Sequence, residues 1–172
     1  MRRLLFQALM ASPLTEPLSR DGDAALAELA SHLNRATQAR LGRSLSIREL
    51  DAGSCNGCEL EINALSNAYY DLERFGLRFV ASPRHADVLL VTGPVTKNMR
   101  DALRQTYEAM PRPKWVVATG DCAIDGGCFA GSPAVVGAAA QVIPVDLVIR
   151  GCPPSPASIL QGLVALMGQP AK

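Results

Sequence analysis

The chain has 172 residues, 48% of them hydrophobic and 19% charged, and its 17 Lys+Arg against 16 Asp+Glu leave a net charge of +1. That length suits one domain with a real core, and the even charge balance supplies no long-range field for gripping nucleic acid or an anionic membrane surface. No apolar run approaches the roughly 20 residues a transmembrane helix needs, and the five cysteines cannot all pair within one chain. A core of this size needs no disulfide staples, so the cysteines read as thiolate chemistry in a reducing compartment.

Met1-Arg2-Arg3-Leu4-Leu5-Phe6 has the start of an export signal, but Gln7 interrupts it and no small-x-small cleavage site follows before Pro13. Residues 1–20 read as an apolar arm, broken by Pro13 and Pro17. Leu26, Leu29 and Leu33 then recur at helical spacing until Gly42, and residues 1–43 are expected to form an arm and helix serving as an interface element. His32 on that helix has no partner motif. A domain over 44–168 follows. Its first strand, Ser44 to Leu50, runs into the turn Asp51 to Cys58. Glu59 to Phe75 is predicted as one helix burying Leu60, Ala64, Ala68 and Leu72. Strands are expected at Leu77–Ala81, Asp87–Val91, Trp115–Ala118 and Val142–Val148, with helices at Lys97–Met110 and Ser155–Met167. Alternating strands and helices argue an α/β fold, a parallel sheet with helices on both faces.

Cys55, Cys122 and Cys152 each follow a predicted strand, and Cys58 opens a helix. In open α/β sheets the strand carboxyl ends form the ligand crevice, so these four cysteines converge on one rim, where thiolates mean a metal site. Glycines at Gly53, Gly57, Gly120, Gly126, Gly127 and Gly151 would let backbone N–H groups approach the sulfurs. An iron–sulfur cluster, a zinc ion and redox or buried thiols all remain open on this chemistry, with one Cys-x-x-Cys and two lone cysteines favouring the wider cavity of a cluster.

The run Asp51-Ala52-Gly53-Ser54-Cys55-Asn56-Gly57-Cys58-Glu59-Leu60-Glu61 resembles the first cluster motif in small subunits of group 4 energy-converting [NiFe] hydrogenases, formate hydrogenlyase included. Ser82-Pro83-Arg84-His85-Ala86-Asp87, Gly120 to Gly127, and Pro144-Val145-Asp146 through Gly151-Cys152-Pro153-Pro154 continue the pattern in order. The same segments resemble the homologous small Fe–S subunit of respiratory complex I. Cys-Asn-Gly-Cys matches the hydrogenase side, whereas Tyr107 to Trp115 resembles the complex I version.

The resemblance implies a flavodoxin-like fold and one [4Fe–4S] cluster of the proximal type on Cys55, Cys58, Cys122 and Cys152. It implies an electron-transfer subunit, not catalytic alone, between a ferredoxin-like polyferredoxin subunit and a large subunit holding Ni–Fe, or a quinone site in the complex I case. Membrane-arm subunits would hold the complex on the cytoplasmic face of the cell membrane, this chain being peripheral and without a membrane span. A zinc-stabilised α/β interaction protein is the alternative of another class.

Glu59 and Glu61 read either as carboxylates favouring the helix dipole at its start or as proton-handling or interface groups, Glu61 ahead of Glu59. Arg84 reads either as raising the cluster potential or as a surface salt bridge, His85 as a hydrogen-bonded structural histidine ahead of a proton-coupled group, and Asp146 is expected to orient the loop before Cys152. Cys128 is left over, and reads as a small buried hydrophobe, with a substitute ligand or a redox-sensitive thiol as the alternative.

Overall fold

A five-stranded sheet, two of whose strands are buried along their whole length, sets the architecture. The structure is a computed structural model that describes residues 20–168; the amino-terminal arm expected at residues 1–20 falls almost wholly outside them, as does the carboxyl-terminal tail. In chain order come α1 (Arg20–Leu41), β1 (Leu45–Asp51), α2 (Gly57–Ala64), β2 (Leu77–Phe79), β3 (Val88–Thr92) and β4 (Val95–Thr96). Then follow α3 (Arg100–Ala109), β5 (Trp115–Thr119), α4 (Asp121–Asp125), β6 (Val135–Gly137), β7 (Leu147–Ile149) and α5 (Pro156–Gly168). Strands β2-β1-β3-β5-β7 make one parallel sheet, with Ile47 beside Val88, Val88 beside Trp115 and Val117 beside Leu147. Counting only these five, the order is 2-1-3-4-5, that of flavodoxin-like sheets, so the expected α/β class is found. β4 and β6 pair antiparallel as a small separate ribbon that sequence periodicity missed.

The pleat divides the core. Leu45, Ile47, Val88, Leu90, Trp115, Val117 and Ile149 face α1, α2 and α5, while Leu50, Leu89, Val91, Val116 and Ala118 pack with Leu103 of α3 and Ala123 of α4. Every residue of β3 and β5 is buried, which is why both read as unbroken apolar runs. The predicted face of α5 holds: Ile159, Leu163 and Leu166 are fully buried. α1 belongs to the same core through Ala30, Leu33 and Thr37. Arg40 closes its end, donating from Nη1 to Leu166 O and Met167 O at 3.1 Å each and lying 4.5 Å over the Trp115 ring; a cation there answers the carbonyls at the carboxyl end of α5. Past α1, Arg43 grips the buried Asp87 with both nitrogens, at 2.8 and 2.5 Å.

The helix predicted over Glu59 to Phe75 stops at Ala64. Asn67 Oδ1 accepts the N–H groups of Tyr69 (2.9 Å) and Tyr70 (3.0 Å), a side-chain turn that replaces the helical ladder. The buried face changes with it: Cys58, Glu59, Ile62 and Leu65 point inward, whereas Leu60 is 62% exposed and Ala68 is exposed too. No helix among the described residues is long and apolar enough to cross a membrane.

Candidate metal centre

The turn after β1 is built by Asp51, whose Oδ1 accepts the N–H groups of Gly53 (2.7 Å) and Ser54 (2.6 Å). Ser54 Oγ then accepts from Asn56 N at 3.1 Å. Asn56 takes a left-handed conformation, φ 70°, that its short polar side chain tolerates. The chain thus reverses between Cys55 and Cys58, and α2 starts at Gly57. Gly93, just past β3, lies so close that a Cβ on it would sit 2.5 Å from Ser54 N.

The two lone cysteines come from loops stitched together beyond the sheet. Gly120 N donates to Ile149 O (2.8 Å) and Asp121 N to Gly151 O (2.9 Å), while Gly151 N donates to Asp121 Oδ1 (3.1 Å). Arg150 stands over this seam, with Nη1 4.0 Å from Asp121 and 3.9 Å from Asp125. The roles of Asp121 and Arg150 show in the sequence only in that each stands beside a cysteine loop.

Cys55, Cys58, Cys122 and Cys152 line one cavity of about 60 Å³, together with Ser54, Gly57, Gly93, Asp121, Gly151 and Pro153. Three strand ends deliver them, at the carboxyl edge of the sheet and beside the β1/β3 switch point where such folds bind ligands. The sulfurs have been given room: a Cβ on Gly120 would be 2.6 Å from Cys58 Sγ, and one on Gly127 would be 2.7 Å from Cys122 Sγ. The four thiols also work against one another electrostatically. Burial pushes Cys58 up to about 12, reinforced by the charges of Glu59, Cys122, Cys55 and Cys152. Cys122 is raised by burial and then by Cys128, Cys152 and Cys55, and is opposed by a hydrogen bond from the Cys128 backbone. Such a set is stable as thiolates only around a positively charged centre, the chemistry of a metal site.

The cavity holds several times the roughly 10–15 Å³ that a single water requires. Among the described residues, no three His, Cys, Asp or Glu side chains are grouped to hold one metal ion. Sulfurs spread around a space of several atoms fit a cluster core better than a zinc ion with all four sulfurs at about 2.3 Å.

The other expected site residues divide. Glu61 is half-buried on α2 and outside the cavity, while Glu59 is the buried carboxylate, and neither of its oxygens has a partner. Arg84 and His85 sit in a 3-10 turn before β3, both exposed. The cysteines follow their strands, so these two lie at the opposite edge, about 17 Å away along a five-residue strand. That placement removes the short-range basis for a tuning role. Asp146 also belongs to the far end: its Oδ2 accepts from Val116 N at 2.8 Å, holding β7 to β5 rather than shaping the Cys152 loop. Cys128 is exposed, not the buried hydrophobe expected.

Comparison with known proteins agrees with this layout. The chain is 46% identical over 132 residues to the probable membrane-bound hydrogenase subunit mbhJ of Pyrococcus furiosus, covering 77% of this chain and 79% of that one. It is 43% identical over 129 residues to formate hydrogenlyase subunit 7 of Escherichia coli, covering 75% of this chain but only 51% of that protein, about half its length. Among solved structures, a chain of the membrane-bound sulfane sulfur reductase, an archaeal respiratory membrane complex, superposes with a TM-score of 0.65 at 38% identity, over 80% of this chain and 73% of that one. The family NADH ubiquinone oxidoreductase, 20 Kd subunit, matches residues 55–166, which span all four cavity cysteines, and the chain belongs to this family of oxidoreductase-complex subunits.

Proposed function

We propose that Cys55, Cys58, Cys122 and Cys152 hold one [4Fe–4S] cluster, and that the chain relays single electrons between a ferredoxin-like subunit and the redox site of a large subunit. The observation that carries this reading is the arrival of four cysteine side chains, from three strand ends, at one glycine-cleared cavity. A bound cluster supplies reversible one-electron storage. The chain's own residues position it: Asp51 and Asn56 shape the Cys55–Cys58 turn, Asp121 ties the Cys122 and Cys152 loops together, and Gly120 and Gly127 leave space for sulfur.

The hydrogenase form of this reading, with Ni–Fe in the large subunit and 2H⁺ + 2e⁻ ⇌ H₂ as the reaction there, is favoured by Cys-Asn-Gly-Cys and by the two relatives named as hydrogenase and formate hydrogenlyase subunits. A quinone-reducing module is the second reading, supported by the Tyr107 to Trp115 segment and by the family's own description. In either case the chain sits peripherally on the cytoplasmic face of the membrane, reached through membrane-arm subunits. Exposed Leu60 and half-buried Glu61 on α2 flank the cavity turn, where a large subunit would cover them.

Anaerobic purification followed by iron and sulfide analysis, with EPR of the dithionite-reduced protein, tests the cluster. Iron and sulfide in equal amounts with a reduced-state signal are expected; zinc without iron and no signal overturns the reading. Paired Cys-x-x-Cys motifs at both ends of the partner large subunit separate hydrogen from quinone chemistry.

A further inference from the structure

Cys128 lines no part of the cavity, yet the fold brings it back to Cys122. The short helix α4 ends at Gly126, whose N–H donates to Cys122 O at 2.9 Å. Asp125 Oδ1 then accepts from Gly127 N at 2.9 Å and turns the chain. The turn is so tight that a Cβ on Gly127, the residue before Cys128, would lie 2.7 Å from Cys122 Sγ and 3.2 Å from its Cα. Cys128 follows Gly127 directly, one peptide unit from that contact. Cys122 is half-buried and Cys128 is exposed, so the pair has one member inside the site and one in solvent.

We propose that Cys122 and Cys128 form a reversible disulfide in the cluster-free chain, capping one ligand against irreversible oxidation. This rests on the reading of Cys122 as a cluster ligand. With a small disulfide such as oxidised glutathione, the exposed Cys128 thiolate attacks one of its sulfurs and releases one glutathione thiolate. The Cys122 thiolate then attacks the Cys128 sulfur of the mixed disulfide and expels the second glutathione. Two protein thiols are oxidised, one glutathione disulfide becomes two thiols, and the two protons pass from the cysteines to glutathione. A Cys122 sulfur bound to iron cannot make the second attack, so the pair closes only in the cluster-free chain. A disulfide returns to thiols with any dithiol, whereas sulfinic and sulfonic acids do not.

The sequence makes the test simple, because trypsin cuts after Lys114 and Arg150 and leaves both cysteines in one peptide. The full chain is stripped of metal by anaerobic chelation, treated with oxidised glutathione, alkylated and digested. A peptide 115–150 lighter than its dithiol form by two hydrogen atoms, carrying neither alkyl group nor glutathione, is expected, and dithiothreitol should restore two alkylatable thiols. Cys128→Ala, with its fold checked by circular dichroism, should give the same peptide with Cys122 alkylated or glutathionylated. Two modified cysteines in the unsubstituted peptide, or a crosslink from it to Cys55, Cys58 or Cys152, overturns the proposal. Iron, sulfide and EPR measured before chelation report separately on the cluster: no iron overturns that reading, while an unbridged peptide from an iron-containing preparation overturns only the disulfide.

Discussion

Gly120→Ala probes the cysteine cradle directly. Gly120 has φ 87° and ψ 151°, a region essentially closed to residues with a Cβ, so an alanine there stores about 1–3 kcal/mol of backbone strain. Its Cβ would also sit 2.6 Å from Cys58 Sγ, about 1 Å inside the separation at which non-bonded heavy atoms rest. Overpacking of that kind costs about another 1–3 kcal/mol, giving about 4 kcal/mol for the two together. For a chain of this length that corresponds to about 8–16 °C in Tm. Gly131→Ala is the control, since Gly131 also has a positive φ, 81°, but nothing lies within 4 Å of its Cβ position. Anaerobic thermal unfolding and iron per chain are the assays. Gly120→Ala should lose both stability and most of its iron, because relief of the overlap moves Cys58 Sγ out of the cavity, while Gly131→Ala should lose only about 1 kcal/mol and keep its iron. Equal Tm and equal iron in the two variants would refute the cradle.

Cys122→Ser should abolish or strongly perturb the reduced-state EPR signal while Cys128→Ser leaves it intact; loss in both would mean the ligand set is wrong. Arg43→Ala should destabilise the chain more than Asp87→Asn, by about 2–4 kcal/mol after allowing for the half-exposed arginine, because Asp87 is buried with only Ser46 N left to it; urea unfolding of the two variants checks the order. Glu49 is held above the ordinary carboxylate range, first by burial and then by Glu59 and Asp51. Its folded form therefore takes up a proton, and its contribution to stability falls as pH rises from about 4.3 through the raised folded value. The difference in unfolding free energy between the unsubstituted chain and Glu49→Gln should follow that sign, and a difference that grows with pH would contradict it. Glu59→Gln should leave the cluster-free protein no less stable, since neither carboxylate oxygen has a hydrogen bond to lose, which a lower Tm would disprove.

Much of this protein is determined by short-range pattern. β3 and β5 are covered on both faces, so Val88 to Thr92 and Trp115 to Thr119 stand out as apolar runs in the sequence alone. Parallel strands put the residues after each strand at one edge, so Cys55, Cys122 and Cys152 could be gathered without coordinates. The same rule places Arg84 and His85 at the other edge, since they precede their strand. What needed the tertiary structure is whatever depends on a second segment. The face that α2 turns to the core buries Glu59 rather than Glu61, and Asn67 ends that helix early through local hydrogen bonds that helical periodicity does not register. The Gly120 approach to Cys58 joins residues 62 positions apart, and the return of Cys128 to Cys122 depends on a glycine turn whose φ values the sequence leaves free. The odd cysteine count was in the composition from the start; only packing shows that four of the five share a cavity and the fifth stands beside one of them.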